Sequence, residues 1–367
     1  MDFSFLRKRK ALWITISSAF VLLLVLVFGG RLYFEYKVNG RYLPSGGNET
    51  AAFWGSDETA GIDSGLLKNL SNPPSDTSLL NGVSYTQAKS NEIIAAIIEN
   101  HPAARPQMLG LREASLVIEA LAEGGITRYL AFFDKQLPPK VGPIRSARPY
   151  FVTWSGEIAD MLIHAGGSDA ALQQLAKSDL VNLDENMDSE ILFRDFRYLK
   201  PHNLFANLAA AEKLLAAQKK QPTLTQPRFD FSDEIPSNTQ PITTVSLNFS
   251  LPSYLVDYVY DAKQENYQRL LGGVIHADAD KNPITPKNIV IQFTTYTLED
   301  EATGHLDFKT TGEGIAWYFS EGKYWQGVWR KIGSLTEFLN MDRQPVSFPA
   351  GQTFIEVIDK TSLVTKR

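Results

Sequence analysis

Arg145 and Arg148 stand three residues apart in KVGPIRSARPYF (140–151), between prolines, in a chain whose formal charge is −5. A guanidinium is a rigid fork of donors that meets a carboxylate or phosphate through two parallel hydrogen bonds, and a helix starting just beyond would add free backbone N–H groups. The pair therefore reads either as a cradle for an anion or as two internal ion pairs, with Asp134, Glu119 and Asp195 as the candidate carboxylates. His164 is followed by Gly166, Gly167 and Ser168 in HAGGSD, a pattern of strand, glycine turn and helix. In open α/β sheets ligands bind at such strand ends, and glycines there let a backbone approach closely. The pattern matches neither GxGxxG nor GxxxxGK[ST], and a lone histidine is commonly a hydrogen-bonded structural residue. Arg194, Asp195, Arg197, His202 and Asn203 form a third group, in which Asn203 reads as a helix cap. If these loops converge, they gather two imidazoles, several guanidiniums and a carboxylate, which suits binding or cleaving a phosphate- or acid-bearing substrate.

Other patterns are weaker. HADAD (276–280) alternates possible metal donors but reads as a solvated turn. Glu119 and Glu123, read as strand residues on one face, would lie about 13 Å apart, too far for a retaining glycosidase pair. GxSxG and HExxH are absent from the sequence. No metal site and no cofactor is expected, and with 36 basic against 41 acidic residues no field that would attract nucleic acid. With no cysteine in the chain, thiolate chemistry, disulfides and the acylated cysteine of a bacterial lipoprotein are excluded.

These residues must be positioned by elements that the sequence marks in turn. Ala11 to Phe28 carries twelve Leu, Ile, Val or Phe residues, and at about 1.5 Å per residue it reaches about 27 Å, close to the hydrocarbon thickness of a bilayer. Arg7 to Lys10 precede it, so the expectation is an uncleaved anchor with the N-terminus in the cytoplasm and the rest outside. The organisation reads as a basic tail (1–10), a transmembrane helix (11–30), a flexible linker (31–86), an α/β domain (87–220), a proline-rich connection (221–241) and a smaller, mostly antiparallel β-rich domain (242–367).

Within the α/β domain, EIIAAIIE (92–99) is a strand or a short helix, which periodicity leaves open. SLVIEALAEGGITRYLAFFD predicts a hairpin about Gly124-Gly125 in which Glu119 and Arg128 are diagonal neighbours on one face. Ser146 is predicted to cap a helix from Ala147 to Asp160, Ser168 a helix over DAALQQLAK, and Asn203 a helix from Leu204 to Lys219.

Several blocks in order carry a likeness: NHPAARPQMLGLREASLVIEALAEGGITRYLAFF, VGPIRSARPYF, IHAGGSDAAL, FRDFRYLKPHNLF, EGKYWQGVWRK and PAGQTFIEV. Over about residues 90 to 360 the chain resembles the YerB-like lipoproteins, a bacterial family whose domain has no assigned activity. The resemblance implies an envelope protein on the outer face of the cell membrane, with an N-terminal α/β domain and a smaller β-rich C-terminal one. It places the family's motif positions at His101, Arg105, Arg128, Arg145, Arg148, His164, Asn203 and their neighbours, and implies no reaction. The missing lipobox cysteine departs from the family, and a transmembrane helix would replace the lipid anchor.

The functional expectation is a tethered binding module whose arginine-rich cleft takes an anionic envelope component or the acidic segment of a partner protein. A hydrolase or transferase acting on wall phosphodiesters or amides, with His164 or His202 as general base, is the alternative. A scaffold for envelope assembly, with Trp325 and Trp329 on a contact surface, is the third.

Overall fold

The computed structural model describes residues 76–86, 92–185, 190–218 and 221–367. The expected anchor at 11–30 and most of the linker at 31–86 lie outside the described residues. Among the described residues no helix is long and apolar enough to cross a membrane.

The first half of the described chain supplies strands β1 (Ile94–Glu99), β2 (Leu116–Leu121), β3 (Thr127–Phe133), β4 (Met161–His164), β5 (Val181–Asp184), β6 (Leu192–Arg194) and β7 (Leu204–Ala206). Its helices are α1 (Pro149–Ile158), α2 (Asp169–Leu175) and α3 (Leu208–Ala217). IAAIIE, LVIEAL and TRYLAFF are buried along their whole length. Near-continuous apolar runs of that kind belong to strands covered on both faces, so EIIAAIIE resolves as a strand.

The main sheet has eleven strands. Its order is Glu337–Asn340, Lys323–Lys331, Gly312–Ser320, Asn288–Thr294, Thr353–Asp359, β2, β3, β1, β4 and β5, with Gln240–Pro241 beside Lys323–Lys331. Residues 221–241 divide the sequence, but the sheet runs across that division. Thr353–Asp359 lies parallel both to Asn288–Thr294 and to β2. A second, five-stranded sheet contains Thr244–Asn248, Leu255–Asp261, Asn266–Leu271, Val274–Ile275 and Val364–Lys366. Its strands alternate in burial, as a sheet with one covered face must. Glu321 (φ 49°) and Gly322 (φ 68°) make the two-residue turn that joins Gly312–Ser320 to Lys323–Lys331, where positive φ at both positions matches the strand twist.

Several local expectations shift. The β2–β3 hairpin forms, but Ala120 faces Arg128 and Glu119 faces Tyr129. The turn is a residue longer than a Gly-Gly connection, because Ala122 N–H closes onto Ile126 O. Glu119 and Arg128 therefore sit on opposite faces, since side chains alternate. Glu123 leaves the strand for the turn, so it shares no face with Glu119. Helix α1 starts two residues later than expected, with Pro149 in its first turn and Arg148 rather than Ser146 at its N-cap. Asn203 does not cap a helix: Leu204–Ala206 pairs with β6, and Asn207 takes the cap, its side chain accepting from Ala210 N–H at 3.2 Å. Ser168 does cap α2, accepting from Ala171 N–H at 3.3 Å. Trp325 and Trp329 are buried, so neither stands on a contact surface. His276 and Asp278 of HADAD are buried as well, which removes the solvated-turn reading.

Candidate functional site

The carboxyl end of β1 and the segment 144–148 beside it bring the charged residues together. Arg145 N–H donates to Ile97 O at 2.9 Å and Ile144 bridges Ile98, while Ala147 bridges Gly167, so 144–148 passes from the end of β1 to the turn after β4. Two carboxylates organise the guanidiniums there, and neither is Asp134, Glu119 or Asp195, the partners expected from the sequence. Glu123 takes Arg128 and Arg148, the latter through bonds of 2.6 and 3.1 Å. Arg128 also donates to Ser146 O at 2.9 Å, and Arg148 to Ala147 O at 2.6 Å. Burial pushes the Glu123 carboxyl up, but Arg128 and Arg148 together outweigh it and hold the group below the usual range. Both arginines are buried. They close the hairpin turn onto the start of α1.

The second carboxylate, Glu99, is the last residue of β1. Its Oε1 lies 3.3 Å from Arg145 Nε and its Oε2 2.9 Å from His202 Nδ1. Glu99 is buried, with 4% of its side chain exposed, whereas Arg145 and His202 keep 27% and 20%. His202 stacks on His101, ring centroids 5.1 Å apart and planes inclined by 16°. Since an ionised carboxylate only accepts, Nδ1–H of His202 donates, and Nε2 makes no hydrogen bond among the described residues. Arg105 lies nearby and is met by carbonyls, donating to Asn100 Oδ1 at 3.0 Å and Ser253 O at 2.8 Å.

The remaining sequence candidates are placed elsewhere or turned inward. His164 is wholly buried, with Nδ1 at 2.8 Å from Gly166 O and Nε2 at 2.5 Å from Asn182 Oδ1. Both nitrogens are engaged within the protein, so it offers no base to a substrate. Gly166 (φ 61°) makes the turn its position requires, its N–H donating to Asp184 Oδ1 at 2.7 Å, and Gly167 packs on Ala147. The glycine turn thus stitches β4 to 144–148, and α2, with seven residues, presents no anion site of its own. Arg194 pairs with Glu185 and donates to Asn203 Oδ1 at 2.9 Å, which accounts for Asn203. Asp195 binds Lys140 at 2.5 Å and Arg197 at 2.6 Å rather than Arg145 or Arg148, and these bonds hold its carboxyl well below the usual range.

Glu119 pairs with none of these arginines. It is fully buried between the two sheets, bound to Arg269, Asn100 (3.1 Å) and Thr127. Its neighbour across the parallel pair is Glu356, equally buried and bonded to Tyr258. Burial and then the charge of Glu119 push Glu356 well above the usual carboxylate range, against the opposing pull of Arg269. Arg269 reaches Glu356 at 3.7 Å and His276 Nδ1 at 2.6 Å; burial and that guanidinium keep His276 well below its ordinary value. Arg269 was legible: in NYQRLL it occupies the inward phase of an alternating strand, between Tyr267 and Leu271. Glu99 had a fainter signal, a carboxylate closing a fully apolar strand immediately before Asn100 and His101.

Comparison with known proteins adds the following. Residues 80–223 match the family described as Protein of unknown function (DUF3048) N-terminal domain, and residues 245–355 its C-terminal domain. The Bacillus subtilis (strain 168) protein named "Putative lipoprotein YerB" is 34% identical over 274 residues, 72% of this chain and 80% of that protein. The crystal structure of YerB from Bacillus subtilis superposes with a TM-score of 0.70 at 30% identity, covering 79% of this chain and 99% of that one.

Proposed function

Because the chain belongs to the YerB-like family and matches both the N- and C-terminal DUF3048 domains, we propose that it works outside the bacterial cell membrane as a tethered binding module. The lipoprotein name of its relative supports the location. A lipid anchor on cysteine has no counterpart in this cysteine-free sequence, and Ala11 to Phe28 supplies the tether instead. The ligand site is the group formed by Glu99, His101, Arg145 and His202, and the ligand is an anionic component of the envelope.

The sharing of Glu99 carries this reading. Arg145 and a histidine both lean on one buried carboxylate while keeping a quarter or so of their own surface in solvent. Arg128 and Arg148 have no such exposure, so the anion cleft expected from the sequence contracts to Arg145 and its imidazole neighbours. His164, turned inward, drops out of it, and Arg194 belongs to the β6–β7 hairpin, bonded to Glu185 and Asn203.

A second reading, a hydrolase of wall phosphodiesters or amides, draws on the Glu99–His202 pair. A carboxylate holding Nδ1 leaves Nε2 as the basic position, the arrangement of a general base. One experiment addresses both. Full-length protein in detergent micelles is incubated with isolated wall polymer bearing phosphate or carboxylate groups, and retention and release of small fragments are followed. Retention that weakens steeply with salt and falls at least tenfold in Arg145→Ala supports the binding module; fragments released by the native protein and not by His202→Ala support the hydrolase. Retention indifferent to both substitutions removes the site from either role.

A further inference from the structure

One carboxylate oxygen of Glu99 and one ring nitrogen each of His101 and His202 lie within 4.8 Å of one another. We propose that these three side chains hold a single divalent transition-metal ion, with zinc the best match, and that its open coordination position receives a phosphate group. The second half of this proposal rests on the anion reading of the same site; the first half does not.

The donor set is two imidazole nitrogens and one carboxylate oxygen. That combination suits zinc and neighbouring first-row ions rather than calcium or magnesium, which prefer oxygen alone. Three protein ligands leave a tetrahedral ion one position short, the arrangement in which a bound ion accepts an outside ligand. With bonds of about 2.0–2.1 Å, ligand atoms around tetrahedral zinc stand about 3.4 Å apart. Glu99 Oε2 and His202 Nδ1, at 2.9 Å, are already that close, and the ion takes the place of the proton between them, the ring keeping its N–H at Nε2. His101 has furthest to travel and least to hold it. Its only hydrogen bond among the described residues is a long one, from Ala103 N–H to Nδ1 at 3.2 Å, in the exposed turn after β1. That bond is given up when the ring presents its lone pair.

Outer-shell groups are in place as well. Arg145 Nε lies 3.3 Å from Glu99 Oε1, orienting the carboxylate and leaving Oε2 to the ion. Gln107 Nε2 donates to His202 O at 3.2 Å and fixes the backbone that carries the second imidazole. The charges then explain Arg145. An ion of two positive charges, one carboxylate and one guanidinium leave the loaded site at plus two, which a phosphate dianion neutralises. Without the ion, Arg145 is simply balanced by Glu99.

The test uses full-length protein in detergent, stripped with a chelator. It is titrated with zinc against a chromophoric competitor, and with cobalt, whose visible absorption reports tetrahedral coordination. One ion per chain is expected. His101→Ala should weaken binding beyond the 10–100-fold typical of an outer-shell loss while leaving the unfolding midpoint in place. His202→Ala should do the same, and Arg145→Ala should keep the stoichiometry but lose zinc-dependent binding of inorganic phosphate. No saturable binding, or zinc binding indifferent to His101→Ala, overturns the metal site. Zinc bound without any gain in phosphate affinity overturns only the open-position half, and phosphate held equally well by the stripped protein upholds the anion site while removing the metal from it.

Discussion

At the scale of single residues, the same chemical group does two jobs a few ångströms apart. Arg145 and Arg148 look equivalent in sequence, both arginines beside prolines. Arg148 sits at the N-cap of α1 with its side chain under the hairpin turn, 7% exposed, and its partner Glu123 also holds Arg128. Truncating it removes one of the two cations that offset the burial of Glu123. Breaking a fully buried pair costs about 3–5 kcal/mol, and since Glu123 keeps Arg128 and 28% of its side chain in solvent, about 2 kcal/mol is expected here. Arg145→Ala leaves Glu99 its hydrogen bond to His202, and the lost pair is partly solvated, so about 1 kcal/mol is expected. Urea unfolding of the two full-length variants separates them. Equal destabilisation would mean that Arg145 is as structural as Arg148, and would weaken its assignment to a ligand.

At the scale of elements, the loop 276–280 is tied to the segment 105–112 of the other half of the sequence. Ala279 N–H donates to Met108 O at 2.8 Å, and Asp278 Oδ2 accepts from Gly110 N–H at 3.2 Å, while Asp278 Oδ1 is buried with no hydrogen-bond partner among the described residues. Burial and then the charge of Glu113 push the Asp278 carboxyl up to about 7. The folded protein thus binds this proton more tightly than the unfolded chain, whose value is about 3.9. Stability from this group is complete below about pH 4, declines as pH rises to about 7, and is flat above. Asp278→Asn keeps the shape and removes the charge. It should raise stability at pH 8 by about 2 kcal/mol, roughly half of the full linkage penalty for ionising so displaced a carboxyl, and leave it nearly unchanged at pH 4.5. Thermal unfolding at the two pH values checks this; an equal gain at both would assign the effect to packing.

Elements were also the scale at which the sequence spoke best. β2 to β4 and the two glycine turns follow from apolar runs and their punctuation, whereas the apolar run of β1 fits strand and short helix alike. What it did not give was partnership: Leu204, Phe205 and Ala206 suit a helix locally and become a strand because β6 lies alongside. Likewise, the carboxylates meeting Arg145 and Arg148 are Glu99 and Glu123, set by a one-residue register that no local pattern fixes. Arg194, Asp195 and Asn203 stand close in sequence, and in the β6–β7 hairpin they satisfy one another and neighbouring charges.

At the scale of the whole described chain, the strand Thr353–Asp359 decides how the halves behave. It enters between Asn288–Thr294 and β2, hydrogen-bonded to both, so the last strand of the main sheet in sequence lies in its middle. Beneath it, Arg269 of the small sheet is the buried cation facing Glu119 of the first half and Glu356 of the second. Removing that cation leaves the Glu119 and Glu356 carboxyls without their guanidinium between two sheets, and the cost, about 3–5 kcal/mol, falls on both halves together because neither sheet face is complete without the other. Calorimetry of the full-length protein should therefore show one transition for the folded region, with matching calorimetric and van't Hoff enthalpies, and Arg269→Met should shift that transition down as a unit. Two separable transitions, with only the later residues responding to the substitution, would mean that the shared sheet opens easily along the β2 edge and that the halves are thermodynamically independent.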